Sequence, residues 1–168
     1  MRLKDKAAIT TGAASGIGKE IAIIFAREGA KVAIADLDQK AADATAKEID
    51  PSGKRAIGVT MDVASEEQVE AGTKKTIGAF GTLDVLISNA GIQIVAPVVD
   101  FDFAKWKRTL AIHLDGAFLT TRAALRHMYK QKRQHHLHGL GAFEGSFQAQ
   151  GTVCLRQACP TRPGAGSR

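Results

Sequence analysis

Three glycines lie between a short apolar run, Ala7–Thr11, and a segment that favours a helix, Lys19–Arg27. Gly12 would let the chain turn sharply out of a strand, Gly16 would let backbone N–H groups approach a pyrophosphate, and Gly18 would let the helix pack closely. The positive end of the helix dipole would then face the phosphates. We call residues 11–18 the glycine loop; its candidate binding residues are Gly12, Ser15, Gly16, Ile17 and Gly18. Such spacing alone is weak evidence, because tight turns also use glycine.

A carboxylate that follows the next apolar run strengthens the prediction of a nucleotide site. Asp36 ends the run Val32–Ala35 and lies about 20 residues beyond the glycine loop. A carboxylate at this place can accept hydrogen bonds from both hydroxyls of an adenine-side ribose, and it would repel a 2′-phosphate. We therefore expect the cofactor to be NAD rather than NADP.

Composition and charge narrow the class of protein. The chain has 168 residues, of which 45% are hydrophobic and 24% charged, as in soluble globular proteins. Its net charge of +6 is uneven, because the segment after Lys132 contains four arginines and one glutamate and so supplies +3. The remaining charge is spread over mixed-sign segments, which argues against a nucleic-acid partner.

The sequence also suggests a cellular location. The apolar run near the N-terminus is too short for a signal peptide, and no run approaches the length of a membrane span. Both cysteines, Cys154 and Cys159, lie near the end of the chain, so we expect no disulfide framework. These features predict a cytoplasmic protein with no membrane partner.

Apolar runs alternate with helical patterns along the chain, as in a sheet built from β-α-β units. We expect strands at Ala7–Thr11, Lys31–Asp36, Ala56–Met61 and Asp84–Ser88. We expect helices at Lys19–Arg27, from Asp38 to about Ile49, from Ser65 onward, and from Phe103 to about Lys130. The predicted fold class is α/β, a Rossmann-like doubly wound parallel sheet that stops after the fourth strand and the long helix. The fourth strand would then form an open apolar edge.

The long helical pattern contains apolar side chains near helical spacing. They are Trp106, Leu110, Leu114, Phe118 and Leu125. We expect them to lie in the hydrophobic core.

The glycine loop, Asp36, the pair Asp62 and Val63, and the tripeptide Asn89-Ala90-Gly91 together resemble the short-chain dehydrogenase/reductase family over about the first 132 residues. The resemblance implies that residues 1–132 form an NAD-binding domain of Rossmann type. Asp62 and Val63 would flank the adenine, and Asn89-Ala90-Gly91 would lie beneath the cofactor. Asn89 could bond to backbone across neighbouring strand ends, and Gly91 could permit close approach of the ribose. The alternative is that Asn-Ala-Gly is only a turn.

Two further segments, Asn89–Gln93 and Ala111–Phe118, resemble the bacterial D-3-hydroxybutyrate dehydrogenases within that family. This resemblance implies a small hydroxy acid substrate and NAD-dependent oxidation of D-3-hydroxybutyrate to acetoacetate. Gln93 would hold the substrate carboxylate, and His113 would occupy the place of a catalytic asparagine. In the alternative interpretation, Gln93 is a solvated loop amide and His113 a packed helix residue. The intact family form would also be a homo-oligomer that associates through the long helix beginning near Phe103.

The chain departs from the family in its catalytic half. The family's reaction needs a tyrosine, a lysine four residues later that lowers its pKa, and a serine that orients the carbonyl. The only tyrosine is Tyr129, and Arg133 stands four residues after it. The catalytic serine, tyrosine and lysine are therefore absent, and we expect the chain to be inactive as written.

We interpret residues 133–168 as a non-family tail that is expected to be disordered, and we offer a shift of reading frame as its origin. Translation one nucleotide later permits a fifth strand, a serine, and a tyrosine and lysine at the family's spacing. The serine would straddle codons 140 and 141, the tyrosine codons 153 and 154, and the lysine codons 157 and 158. The alternative is an authentic basic tail on a noncatalytic NAD-binding or interaction module. His135, His136 and His138 would then make a poor metal site, because adjacent histidines in a mobile tail are not held in fixed positions.

Overall fold

A computed structural model describes residues 1–135 and 153–156 and contains a twisted sheet with the strand order β3-β2-β1-β4-β5. The strands are β1 Ala7–Thr11, β2 Lys31–Asp36, β3 Ala56–Thr60, β4 Val85–Ser88 and β5 Val153–Arg156. The first four are parallel, which confirms the predicted Rossmann-like α/β fold.

The first four strands form where the chain has continuous apolar runs, as expected for parallel strands that are covered on both faces. All five residues of β1 and all four of β4 are buried. The central strand β1 pairs with β2 on one side and β4 on the other, so that Ile9 lies beside Ala33 and Leu86. This register brings the carboxyl ends of the three strands to the same edge of the sheet.

The described residues form five α-helices. They are α1 Gly16–Arg27, α2 Gln39–Ile49, α3 Glu66–Phe80, α4 Phe103–Leu110 and α5 Gly116–His135. Of these, α1, α2, α3 and α5 pack on the two faces of the sheet. The helices α1 and α2 pack on one face through small residues such as Ala22, Ala42 and Ala46. The helices α3 and α5 pack on the other face, where Phe80 and Met128 join the core.

One predicted helix boundary is wrong, because the first helix begins at Gly16, inside the glycine loop, and not at Lys19. The long helix begins at Phe103 as predicted, but a π-helical segment, Ala111–Asp115, lies between its α-helical parts α4 and α5. We call Ala111–Asp115 the π segment. A short 3₁₀ helix, Val98–Asp100, precedes α4.

The predicted open edge at the fourth strand is also wrong. The strand β5 pairs antiparallel with β4, with Leu155 opposite Leu86 and Cys154 opposite Ile87. Backbone hydrogen bonds between strands do not require an apolar pattern, so a four-residue segment of the tail can pair there. The rest of the expected tail lies outside the described residues, as do His136, His138, Cys159 and the codon positions 140, 141, 157 and 158.

The prediction that the apolar stripe of the long helix lies in the core is wrong for three of its five members. Trp106, Leu114 and Phe118 are exposed, whereas Leu110 and Leu125 are half-buried. Helical spacing shows that apolar residues share a face, but it does not show that another element covers that face.

Within the described part of the chain, no helix is long and apolar enough to cross a membrane.

Candidate functional site

A cleft of about 250 Å³ opens where β1, β2 and β4 end. The chain continues from β1 toward β2 on one side, whereas β4 lies on the other side of β1. In open α/β sheets this change of direction is where ligands bind. The cleft is lined by Gly12, Ser15, Asp36, Leu37, Met61, Asp62, Val63, Asn89, Ala90, Gly91, Ile92 and Ile112.

The glycine loop has the backbone geometry that its sequence predicts. Gly12 and Gly16 have φ angles of +61° and +57°, a region that favours glycine. A Cβ placed on Gly16 would meet no described atom within 4 Å, so ligand atoms can approach this backbone. A Cβ on Gly18 would clash with the Gly12 oxygen, so the absence of a side chain lets the first turn of α1 lie against the earlier part of the loop.

Hydrogen bonds across the ends of β1 and β4 hold the glycine loop to the tripeptide Asn89-Ala90-Gly91. The Asn89 side-chain amide donates to the Thr11 oxygen at 3.0 Å and to the Gly12 oxygen at 3.1 Å. In the other direction, the Thr11 hydroxyl accepts from the backbone N–H of Asn89 at 3.0 Å and of Ala90 at 3.1 Å. The expected cross-strand role of Asn89 is present, and Thr11 is a buried partner that the sequence did not reveal.

Asp36 is half-buried at the end of β2 and is held by the backbone of the glycine loop. Its carboxylate accepts from the Ala14 N–H at 3.0 Å and from the Asp38 N–H at 3.3 Å. The Thr45 hydroxyl in turn donates to the Ala14 oxygen at 3.0 Å, which fixes the loop beside the carboxylate. Because a carboxylate has about four lone-pair sites, Asp36 can still accept hydrogen bonds from a ligand in the cleft.

Asp62 and Val63 follow β3 and form the wall of the cleft beside Asp36. The Asp62 carboxylate accepts from the Ala64 N–H at 2.9 Å. The backbone N–H of Asp62 donates to the side-chain oxygen of Gln68 at 2.9 Å. Val63 is buried against Gly116, where a Cβ would lie 2.8 Å from the valine Cγ2. The start of α5 therefore packs directly on this wall.

The missing side chain of Gly91 leaves room for His113. A Cβ at Gly91 would lie 2.7 Å from Cε1 of His113, so the imidazole occupies that space, while Gly91 also lines the cleft. The His113 Nε2 atom lies 2.8 Å from the Ile92 oxygen and 3.1 Å from the Ile92 nitrogen. The sequence gives no sign of this contact, because the two partners are 21 residues apart.

The structure brings eight of the eleven predicted cofactor-binding residues to the cleft lining, and Gly16, Ile17 and Gly18 are not among its lining residues. Ile17 is 73% exposed. The predicted substrate residue Gln93 is exposed and directly follows the lining residue Ile92. Sequence reasoning missed Leu37, Met61, Ile92 and Ile112, although each lies next to a predicted site residue in the chain.

The described residues that line the cleft include no tyrosine, lysine or histidine. Tyr129 lies on α5, outside the lining. The cleft thus offers backbone N–H groups, the carboxylates of Asp36 and Asp62, and apolar walls. That combination suits a nucleotide with phosphates and a ribose.

Comparison with known proteins agrees with this geometry. The sequence profile described as short chain dehydrogenase matches residues 6–135. The chain belongs to this family. It is 37% identical over 132 residues to a (2S)-[(R)-hydroxy(phenyl)methyl]succinyl-CoA dehydrogenase subunit of Thauera aromatica, covering 79% of this chain and 53% of that protein. It is 42% identical over 125 residues to a cis-4-hydroxycyclohexanecarboxylate dehydrogenase of Sinomonas cyclohexanicum, covering 74% of this chain and 50% of that protein.

A solved structure supports the same family assignment. The crystal structure of a short-chain type dehydrogenase/reductase from Mycobacterium marinum superposes with a TM-score of 0.73 at 36% identity, covering 77% of this chain and 52% of that one. The chain spans about half the length of the relatives it matches. The relatives are dehydrogenases of different small molecules, so membership alone does not specify a substrate.

Proposed function

We propose that this chain is the NAD-binding half of a short-chain dehydrogenase and that it prefers NAD to NADP. The observation that carries the proposal is Asp36, whose carboxylate lines the cleft beside the glycine loop. A ribose with free 2′- and 3′-hydroxyls can donate to this carboxylate. A 2′-phosphate would place negative charge against it at close range, which is unfavourable in a partly buried site.

The strand order supports one orientation of the cofactor. The adenosine would lie over the end of β2, near Asp36, Leu37 and Val63. The pyrophosphate would cross the glycine loop at the start of α1, where unpaired N–H groups and the helix dipole favour an anion. The nicotinamide half would then extend toward the end of β4, near Asn89 and Ile92.

For the intact enzyme we propose oxidation of D-3-hydroxybutyrate to acetoacetate, with bound NAD accepting the hydride. The position of Gln93 supports this proposal, because it directly follows the part of the cleft assigned to the nicotinamide. A side-chain amide can donate to the substrate carboxylate there. The present chain would not catalyse the reaction at a useful rate, because hydride loss from an alcohol also requires a group that accepts the hydroxyl proton.

Calorimetric titration of the purified chain with NADH and NADPH tests the cofactor proposal. We expect NADH to bind at least about tenfold more tightly, which corresponds to about 1.4 kcal/mol. Equal or tighter binding of NADPH would contradict the preference, and no binding of either would contradict the proposed function.

The substitution Asp36→Asn isolates the carboxylate in the same experiment. We expect about tenfold weaker NADH binding and a smaller gap to NADPH, since hydrogen bonds to charged groups contribute about 1.5–3 kcal/mol. Glu20→Gln is the matched control, because it removes one negative charge from an exposed position of α1. An equal effect of both substitutions would show that the overall charge, and not the ribose contact, controls the preference.

A second candidate function is a noncatalytic NAD-binding module. The origin of residues 133–168 distinguishes this module from an enzyme whose catalytic half has been lost. The pairing of Val153–Arg156 with β4 favours the module, because it gives part of the tail a place in the sheet. Sequencing the gene across codons 130–135 decides between them. A single-base gap, together with acetoacetate reduction by the frame-repaired protein, supports the enzyme, whereas an intact frame and NADH binding without turnover support the module.

A further inference from the structure

We propose that His113 is a positioning residue that holds the Gly91–Ile92 wall of the cleft against the nicotinamide ring of the cofactor. This inference rests on the proposed NAD site. It assigns a task to an exposed side chain that forms hydrogen bonds with the backbone of that wall.

The His113 ring lies within hydrogen-bond distance of both backbone polar atoms of Ile92. The His113 Nε2 atom lies 2.8 Å from the Ile92 oxygen and 3.1 Å from the Ile92 nitrogen. The imidazole also fills the place where Gly91 has no side chain, with Cε1 at 2.7 Å from an ideal Cβ. The wall is therefore held by a hydrogen bond and by steric contact with one and the same ring.

The position of Nε2 lets either neutral tautomer of the ring make the contact. If Nε2 carries a proton, it donates to the Ile92 carbonyl, and if Nε2 is unprotonated, it accepts from the Ile92 N–H. Both tautomers can thus hold the wall.

The π segment that carries His113 is fixed at two points of the cleft. Ile112, the residue before His113, lines the cleft itself. Directly after the segment, Gly116 packs on Val63, the opposite wall, at a distance that excludes a Cβ. Single π-helical turns inside α-helices often occur at functional sites. Here the π segment links the adenosine-side wall at Val63 with the β4-side wall at Ile92.

Comparison of NADH with ADP-ribose tests the assignment, because ADP-ribose lacks the nicotinamide. The variant His113→Phe keeps a flat ring next to Gly91 but cannot bond to Ile92. We expect it to bind NADH about three- to tenfold more weakly and ADP-ribose unchanged, since a single hydrogen bond is lost. His113→Gln is the conservative control, because its amide can both donate and accept, and it should restore NADH binding.

A second pair of variants tests the steric part. Gly91→Ala would place a methyl group against the imidazole, so we expect weaker NADH binding without the loss of any polar group. In the double variant Gly91→Ala with His113→Ala, the ring that opposes the methyl group is gone. We expect the double variant to bind NADH more tightly than Gly91→Ala alone, a non-additivity that indicates direct contact.

Amide hydrogen exchange without any ligand separates this inference from the proposed function. We expect faster exchange in residues 89–95 of His113→Phe and unchanged exchange in β1 and α1. Unchanged exchange in residues 89–95, or equal weakening of NADH and ADP-ribose, would overturn the assignment of His113. Failure of the unmodified chain to bind ADP-ribose, with the exchange difference present, would instead overturn the NAD site and leave the wall contact established.

Discussion

Two adjacent threonines on β1 differ in the hydrogen bonds that their hydroxyl groups make. Thr10 and Thr11 are both almost fully buried. The Thr11 hydroxyl accepts from the N–H groups of Asn89 and Ala90 and can donate to the Ile87 oxygen at 3.4 Å. The Thr10 hydroxyl has no hydrogen-bond partner among the described residues. One hydroxyl joins two strand ends at the cleft, and the other is a buried polar atom without a bond.

Replacement of each threonine by valine, which has nearly the same shape, should therefore have different effects. We expect Thr11→Val to lower the free energy of unfolding by about 1–3 kcal/mol, because two N–H groups lose their acceptor. Thr10→Val should be neutral or stabilising, because it removes an unpaired buried hydroxyl. Urea unfolding followed by circular dichroism measures both, and equal losses would contradict this account.

Individual site residues could be predicted from the sequence where their chemistry depends on local backbone. The glycine loop, Asp36 and Asn89 all follow apolar runs, so their place at a strand end could be inferred. The room that Gly91 leaves for the imidazole could not be predicted, because His113 is far away in the sequence. No local pattern reports such a contact.

At the scale of elements, the helices α2 and α4 have similar N-caps but differ in how they pack on the rest of the protein. Asp38 accepts from the Ala41 N–H at 3.1 Å at the start of α2, and Asp102 accepts from the Lys105 N–H at 2.8 Å at the start of α4. The helix α2 packs on β2 and β3 with buried residues, whereas α4 has no buried residue. Only α2 is therefore coupled to the core.

Replacement of each capping aspartate by alanine should show this difference in packing. We expect Asp38→Ala to lower the free energy of global unfolding by about 1 kcal/mol, the usual contribution of an N-cap. Asp102→Ala should leave global unfolding nearly unchanged and accelerate hydrogen exchange within residues 103–110, because α4 can open alone. A global loss of the same size for Asp102→Ala would show that α4 is part of the cooperative core.

The helix α5 carries a histidine that should make stability depend on pH. Burial of the ring, followed by the nearby charge of Lys130, lowers the pKa of His127, and Asp84 opposes this shift. The Nε2 atom is buried without a hydrogen-bond partner among the described residues. Because the folded pKa is lowered, the unfolded chain binds the proton more readily. Stability should be complete above about pH 6.5 and should decline as the pH falls toward the folded pKa.

Urea unfolding at about pH 7.5 and about pH 5.5 checks this prediction. We expect the unmodified chain to lose stability at the lower pH and His127→Gln to lose less. Lys130→Met should also lose less, because removal of the positive charge raises the pKa of His127. Asp50 does not interfere, since the Ser52 hydroxyl lowers the pKa of its carboxyl from 3.8, below this pH window. An identical pH dependence in the unmodified chain and His127→Gln would contradict the assignment.

The elements themselves were predictable to different degrees. The four parallel strands have continuous apolar runs, and the structure places each of them within one residue of the predicted ends. The division of the long helix at the π segment was not predictable, because neither proline nor glycine lies between Phe103 and Asp115. The strand Val153–Arg156 was also missed, since four residues are too few to show an apolar pattern.

At the scale of the whole molecule, a broad apolar surface remains exposed along α4, the π segment and the start of α5. Phe103, Trp106, Leu114 and Phe118 have 67%, 49%, 62% and 60% of their surface exposed. Lys107 and Arg122 lie over two of these aromatic rings, each 5.0 Å from the ring centre, and cover one side of them. Contiguous apolar surface of this kind favours association.

We therefore expect the purified chain to self-associate, as its resemblance to a homo-oligomeric family also implies. Leu114→Lys places a charge in the middle of this surface and should shift the chain toward the monomer in sedimentation velocity experiments. The matched control is Ile24→Lys on α1, because Ile24 is 53% exposed but lies away from α4 and the π segment. It should leave association unchanged. If the unmodified chain is monomeric, or if both lysine variants dissociate it equally, the surface along α4 and the π segment is not the contact. Because burial of apolar area drives such association, dissociation by Leu114→Lys alone would identify that surface as the interface.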